Sequence, residues 1–304
     1  MAEKTGARAP EVSLCYNEAC AGSLLDAEND IRYAAEAGFT GIELRFDCVE
    51  RYLQTHGGKL SGLRRLIENS GLKLRPLNAL YIYPEYGLPE DHDPRGAELE
   101  HRLELLPRLR DELGANAAIV VAPLLQNQAA AQRYSFRDVK AGCERLLRLL
   151  RERLGSLKLL FEPVGLTRSL VRDALNAAAI IKGSGISDAG LVLDSCNLFL
   201  TRQDNVFDFS GIPSELILGV HLMGGIDPQT SEITDQKWRR LCGDGNYVDT
   251  QAFLLALRHK CYSGFVSAET FWEGYLEKYS HRELIMYAKA GLESELLKAG
   301  FTVS

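Results

Sequence analysis

The chain has 304 residues, 46% hydrophobic and 25% charged, the composition of an ordinary globular protein with room for one large barrel or two smaller domains. A net charge of −6, with no long Lys/Arg run, excludes broad non-specific attraction to nucleic acid. No apolar run approaches a membrane span, the N-terminal MAEKTGARAPEVSL lacks a secretory apolar stretch, and the seven cysteines form no C-x-x-C pair, so a cytoplasmic protein with reduced thiols is expected.

Short apolar runs alternate with amphipathic stretches along the whole chain. After an N-terminal extension over residues 1–10, the first predicted strand is Val12–Tyr16 and the first predicted helix Ser23–Ala37, stopped by Gly38. The further predicted strands are Gly41–Phe46, Leu72–Leu77, Ala117–Ala122, Lys158–Phe161, Gly190–Leu193, Ile217–His221 and Gly264–Ala268. Most are continuously apolar, as parallel strands covered on both faces must be. Between them the helical pattern covers Lys59–Ser70, Glu98–Leu113, Arg137–Leu154, Leu170–Lys182, Asp249–His259 and Arg282–Lys298. Several stop at a glycine, namely Gly71, Gly114, Gly155, Gly183 or Gly300. Leu198–Glu215 holds only a short helix on this reading. Eight strands in one uninterrupted βα series, with no linker tract, predict a single (β/α)8 TIM barrel of the α/β class over residues 1–304. A doubly wound open sheet would carry a G-x-G-x-x-G turn after the first strand, where this chain reads NEACAGS.

Active sites of such barrels lie at the C-terminal ends of the strands. The fifth strand, KLLF, runs into Glu162-Pro163, the sixth into Asp194, the seventh ends on His221, and the eighth, GFVSA, runs into Glu269. Four successive strands each deliver a side chain able to bind metal. Carboxylates converging on one barrel mouth repel one another, and a cation resolves the conflict. Three carboxylates and one imidazole suit one open-sited divalent ion, Mn²⁺, Mg²⁺, Co²⁺ or Zn²⁺.

These motifs also carry a resemblance. Glu162-Pro163, VLDSCN around Asp194, GVH ending at His221, CGDGNYVD at 242–249 and GFVSAETF at 264–271 resemble the xylose isomerase-like sugar isomerase/epimerase superfamily. That superfamily includes ketose 3-epimerases, inosose dehydratases, dehydroshikimate dehydratases and the endonuclease IV type of repair nuclease. The resemblance places the family's arginine ahead of the Gly243-Asp244-Gly245 turn at Arg239, with Arg240 an equally close alternative. It departs after the sixth strand, where many relatives carry Asp-x-x-His and this chain has Asn197, which does not exchange a proton near neutral pH.

The resemblance implies that Glu162 and Glu269 flank the metal as an acid/base pair. The implied reaction is isomerisation or epimerisation of a small sugar or polyol-derived ketone through an enediolate, in carbohydrate metabolism. Loss of a β-hydroxyl from the same intermediate would make the protein a dehydratase of the inosose or dehydroshikimate type. Asn197, Arg239, Asn17, Glu43, Arg45 and Asn78 are the expected substrate-binding residues, with an internal salt bridge as the alternative for Glu43 and Arg45. The stretch Tyr81–Asp93, containing His92, reads as a lid or as a packed surface loop. Gly-containing Met223–Ile226 and the Gly243–Gly245 turn hint at a phosphate cradle without the spacing of one. A non-catalytic sugar-binding protein and an endonuclease IV-like nuclease are the competing readings. The nuclease needs several histidines at strand exits, and only His221 of six is so placed. The expected partner is a small polyhydroxylated substrate, with no nucleic acid and no membrane. Since relatives often associate, a homo-oligomer is implied, although Leu284, Ile285, Tyr287, Ala288, Leu292, Leu296 and Leu297 of the last helix mostly read as packing on the barrel wall.

Overall fold

Runs such as AAIVV at 117–121 have no polar face, so they bury both sides, and the chain supplies amphipathic helices to cover them. In the computed structural model, which describes residues 9–82, 98–202, 204–226 and 235–304, ten strands form one parallel sheet. They are β1 (Glu11–Asn17), β2 (Gly41–Glu43), β3 (Lys73–Leu74), β4 (Leu77–Tyr81), β5 (Ala117–Val121), β6 (Lys158–Glu162), β7 (Gly190–Asp194), β8 (Ile217–His221), β9 (Phe265–Ser267) and β10 (Thr302–Val303). The hydrogen-bonded order is β3-β2-β1-β9-β8-β7-β6-β5-β4, with β10 paired to the start of β1.

The two ends of that path, β3 and β4, are consecutive in the chain. Between them lie Arg75 and Pro76, and a proline has no N–H to give a ladder. The predicted strand Leu72–Leu77 is therefore two pieces. Lys73–Leu74 pairs with β2, and Leu77–Tyr81 pairs with β5. The Asn78 amide donates to Leu44 O at 2.9 Å, and Arg45 and Asn78 form a parallel bridge, so the ring closes. Counting β3 and β4 as one stave, the barrel has eight.

Other boundaries moved for local reasons. Gly41–Phe46 was expected as a strand, but the strand is Gly41–Glu43, with Arg45 adding only the isolated bridge to Asn78. Phe46 instead opens a helix, Phe46–Thr55, whose buried Phe46, Val49 and Tyr52 follow helical spacing. The helix expected over Leu170–Lys182 runs Ala174–Ser184, because the Asp173 side chain caps it at the Asn176 amide and Gly185, at φ 74°, ends it. Gly183 lies inside that helix. A helix starts at Ser195, directly after β7, so Asn197 sits in its first turn. The closing helix, His281–Lys298, opens with a Ser280/Glu283 capping box and buries Leu284, Ile285, Ala288, Leu292 and Leu296, leaving Leu297 exposed.

No helix among the described residues is long and apolar enough to cross a membrane. All seven cysteines are free, six of them buried and Cys261 exposed. Residues 1–8 of the predicted N-terminal extension, and residues 83–93 of the predicted lid with His92, lie outside the described residues.

Candidate metal centre

Register decides what meets at the rim. In the parallel ladders Val121 is level with Glu162, Asp194 with His221, and His221 with Ser267. Glu162, Asp194 and His221 are thus the last residues of three adjacent strands. Glu269 lies two residues beyond β9, in step with Ser267. One ligand atom from each of Glu162, Asp194, His221 and Glu269 lies within 4.8 Å of the others, and all four residues are buried.

His221 organises the group. Its Nε2 meets Glu43 Oε2 at 3.2 Å, and Glu43, itself fully buried, also accepts the Ser267 hydroxyl. Its Nδ1 stands 3.5 Å from Glu269, 3.8 Å from Glu162 and 4.0 Å from Asp194, with no hydrogen-bond partner among the described residues. With the Nε2 proton given to Glu43, the Nδ1 lone pair points at three carboxylates. That arrangement fits a divalent cation, and a carboxylate behind a histidine is the usual outer support of such a ligand. The four side chains that would hold the ion are Glu162, Asp194, His221 and Glu269.

The electrostatics record the same crowding. Burial, then the charge of Glu269, pushes the Glu162 carboxyl up to about 7. Burial also raises Asp194, partly offset by the Arg239 guanidinium. For Glu269 burial opposes ionisation, but His221 and Arg239 hold its carboxyl down to about 2. Burial disfavours a charge on His221, yet Glu269 and Glu43 carry its pKa well above the usual imidazole range, because a second ring proton does part of a cation's work.

A small cavity of about 40 Å³ opens onto this centre, lined by Asn78, Tyr81, Val121, Leu124, Glu162, Val164, Leu166, Asn197, Arg239, Glu269 and Phe271. Three predicted residues therefore reach it beside the two acids. Asn78 Nδ2 donates to Glu269 Oε1 at 2.5 Å, and Asn197 Nδ2 to Glu162 Oε1 at 3.1 Å. Arg239 donates to Asp194 Oδ2 at 2.7 Å and lies 3.5 Å from Glu269 Oε2. Of the two arginines, Arg239 faces the cavity, while Arg240 stacks on Trp272 at 3.8 Å.

The other three expected substrate contacts are placed elsewhere. Asn17 is buried, and its side-chain oxygen caps the following turn at the Ala19 amide. Glu43 is inside the barrel behind His221, paired with His221 and Ser267. Arg45, its expected alternative partner, pairs with Asp47 and sits 5.5 Å over the Phe271 ring, outside the cavity lining. The suggested phosphate cradle is a packing device. A Cβ on Gly224 would meet Gly245 O at 1.9 Å, and one on Gly245 would meet Gly225 O at 2.4 Å. These glycines let two backbone segments touch, and Gly224 and Ile226 bond to the backbone around Arg239, which fixes that residue over the centre. Sequence reasoning missed the Ser267–Glu43–His221 relay. Its only signal was a glutamate predicted within a buried strand.

The family model of the xylose isomerase-like TIM barrel matches residues 31–293. Among solved structures, the IolI protein, crystallised with a zinc atom, aligns with a TM-score of 0.80 at 23% identity, over 95% of this chain and 99% of that one. An L-ribulose 3-epimerase aligns at 0.64 and 19% identity over 95% of each chain. The probable 3-DHS dehydratase AsbF of Bacillus anthracis aligns at 0.67 and 14%, over 92% of this chain and 98% of that one. At such identities the likeness establishes the fold. Sequence comparison with curated proteins finds no match. With the family match running from the helix after β1 to the last helix of a closed eight-stave barrel, the chain belongs to the xylose isomerase-like TIM-barrel family.

Proposed function

We propose that the protein is a divalent-metal-dependent isomerase or epimerase of a small sugar or polyol-derived ketone, with Glu162 and Glu269 as the proton-transferring pair. One observation carries this reading. Of the four clustered residues, these two alone also line the cavity, while Asp194 and His221 are sealed behind them. A ketone entering the cavity meets two carboxylates from different strands with a proton-exchange role open to both. The bound ion, Mn²⁺, Mg²⁺, Co²⁺ or Zn²⁺ on this donor set, supplies Lewis-acid polarisation of the substrate carbonyl.

The protein's own residues do the rest. One glutamate removes the proton α to the carbonyl, giving an enediolate. The other returns a proton to the opposite face for epimerisation, or to the neighbouring carbon for isomerisation. Asn197 and Asn78 hold Glu162 and Glu269 in orientation through the hydrogen bonds described above. Arg239 donates to Asp194, partly offsetting the cost of burying its charge, and brings positive charge to the cavity wall, where it can meet a substrate hydroxyl or carboxylate. That cationic wall favours one second reading, a dehydratase acting on a cyclic hydroxy acid, in which the enediolate expels a β-hydroxyl.

Solvent exchange tests the shared first step. In D₂O, with metal-loaded protein and a panel of ketoses, inososes and dehydroshikimate-like acids, deuterium should enter the α position of one class at a rate lost in Glu269→Gln or Glu162→Gln. Metal-loaded wild type that exchanges no member of the panel, yet binds one tightly, would point instead to a sugar-binding protein.

A further inference from the structure

A second group of buried ligand-type side chains sits where the first two βα units meet, apart from the rim centre. Glu18 opens the turn after β1, Asp30 lies in the helix Ala27–Ala37, and Cys48 lies in the first turn of Phe46–Thr55. One ligand atom from each is within 4.8 Å of the others, and all three residues are buried. Their outer sides are tethered. Glu18 Oε2 accepts the Arg45 amide at 2.5 Å, and Asp30 Oδ1 meets His281 Nε2 at 2.8 Å. Their inner sides are not. Glu18 Oε1 and Asp30 Oδ2 are buried with no hydrogen-bond partner among the described residues, and the buried hydroxyl of Tyr16 stands beside Asp30. Burying unsatisfied polar oxygens face to face is costly unless something else satisfies them.

We propose that Glu18, Asp30 and Cys48 hold a second, structural divalent cation of the zinc type, with the Tyr16 hydroxyl at its open edge. A thiolate with two carboxylates is a donor set that zinc accepts and that magnesium or calcium does not favour. Binding releases the Cys48 thiol proton to solvent, and the dication offsets two of the three negative charges of the thiolate and carboxylates, leaving a net charge of one minus beside His281. The tethers engage one oxygen of each acid and leave the other unpaired, and His281 backs Asp30 as an outer support. The ion would tie the turn after β1 to the two following helices and, through His281, to the closing helix. Nothing in this site takes part in the proposed reaction.

Cobalt substitution tests it. The protein is expressed in zinc-depleted, cobalt-supplemented medium, as wild type, Glu162→Gln/Glu269→Gln and Cys48→Ser. The rim centre offers only oxygen and nitrogen donors, so a thiolate-to-cobalt charge-transfer band reports the second site. Wild type should hold about two equivalents of cobalt and the double variant about one, both showing the band, and folded Cys48→Ser should lack it. Wild type without the band, holding about one equivalent that the double variant loses, overturns the proposal and assigns shared protons to the acids. Should Cys48→Ser fail to fold, the wild-type spectrum and stoichiometry still decide. About one equivalent with the band in both wild type and double variant would sink the rim centre and leave this site standing.

Discussion

Glu162, Asp194, His221 and Glu269 end or follow β6 to β9 and meet around one point, whereas Asn17, Glu43 and Arg45 end or follow β1 and β2 and scatter to separate tasks, only Asn78 of β4 reaching across to Glu269. Both halves of the rim bury polar side chains. In the later half the acids face one another with too few protein cations to balance them. In the earlier half the expected contacts have neutral or opposite-charge partners: an amide for the Asn17 side-chain oxygen, a hydroxyl and a histidine for Glu43, an aspartate for Arg45. A polar residue at a barrel mouth is thus a candidate for chemistry when its neighbours leave it unbalanced, and a support when they do not.

That contrast breaks first, and hardest, at the two glutamates. Calorimetric Mn²⁺ titration of stripped protein should give near-stoichiometric binding to wild type and an affinity at least about 100-fold lower for Glu162→Gln/Glu269→Gln. Equal weak binding to both proteins would return the four residues to structural roles.

Glu43 is the sharper test, since it belongs to the earlier half by position and to the later half by contact. Glu43→Gln should weaken metal binding by about 10- to 100-fold through a less basic, less firmly held His221, while the fold survives. An unchanged affinity would make Glu43 a core partner only.

The pH dependence is next in size. Glu162 has its folded-state pKa raised to about 7, so without metal the ionised form is disfavoured by folding. This group makes the stripped protein less stable as pH rises from its unfolded pKa through about 7, and a bound cation removes that loss. Glu269 has the opposite sign: depressed to about 2, it contributes stability that fades only as pH falls below the ordinary glutamate range. The rise in Tm on adding Mn²⁺ should therefore grow between about pH 5 and about pH 8. A metal-induced shift that is flat or falls over this range would contradict the assignment.

The smallest effect belongs to the earlier half. Asn17→Ala removes a cap and should cost about 1 kcal/mol of stability in denaturant titration, leaving the Mn²⁺ affinity unchanged. A matched loss of metal binding would erase the distinction between the two halves.

The sequence by itself determined the βα alternation, the eight staves and the four strand-end ligand types, because parallel strands must be continuously apolar and the polar residue that follows such a run stands at its exit. It also marked Arg239 and Asn197, though not their partners, which come from the rim residues Asp194 and Glu162. It set Asn78 after its strand, whereas Asn78 lies within β4 and still reaches Glu269, since Pro76 breaks a strand whose second half only barrel closure reveals. Periodicity did not separate the tail of a strand from the head of a helix at Leu44–Phe46. Tertiary structure alone decided that Glu43 supports His221, across 178 residues of sequence, and that Glu18, Asp30 and Cys48 share one buried space. Such pairings depend on register and on which helix covers which stave, quantities fixed by long-range packing and absent from any local pattern of residues.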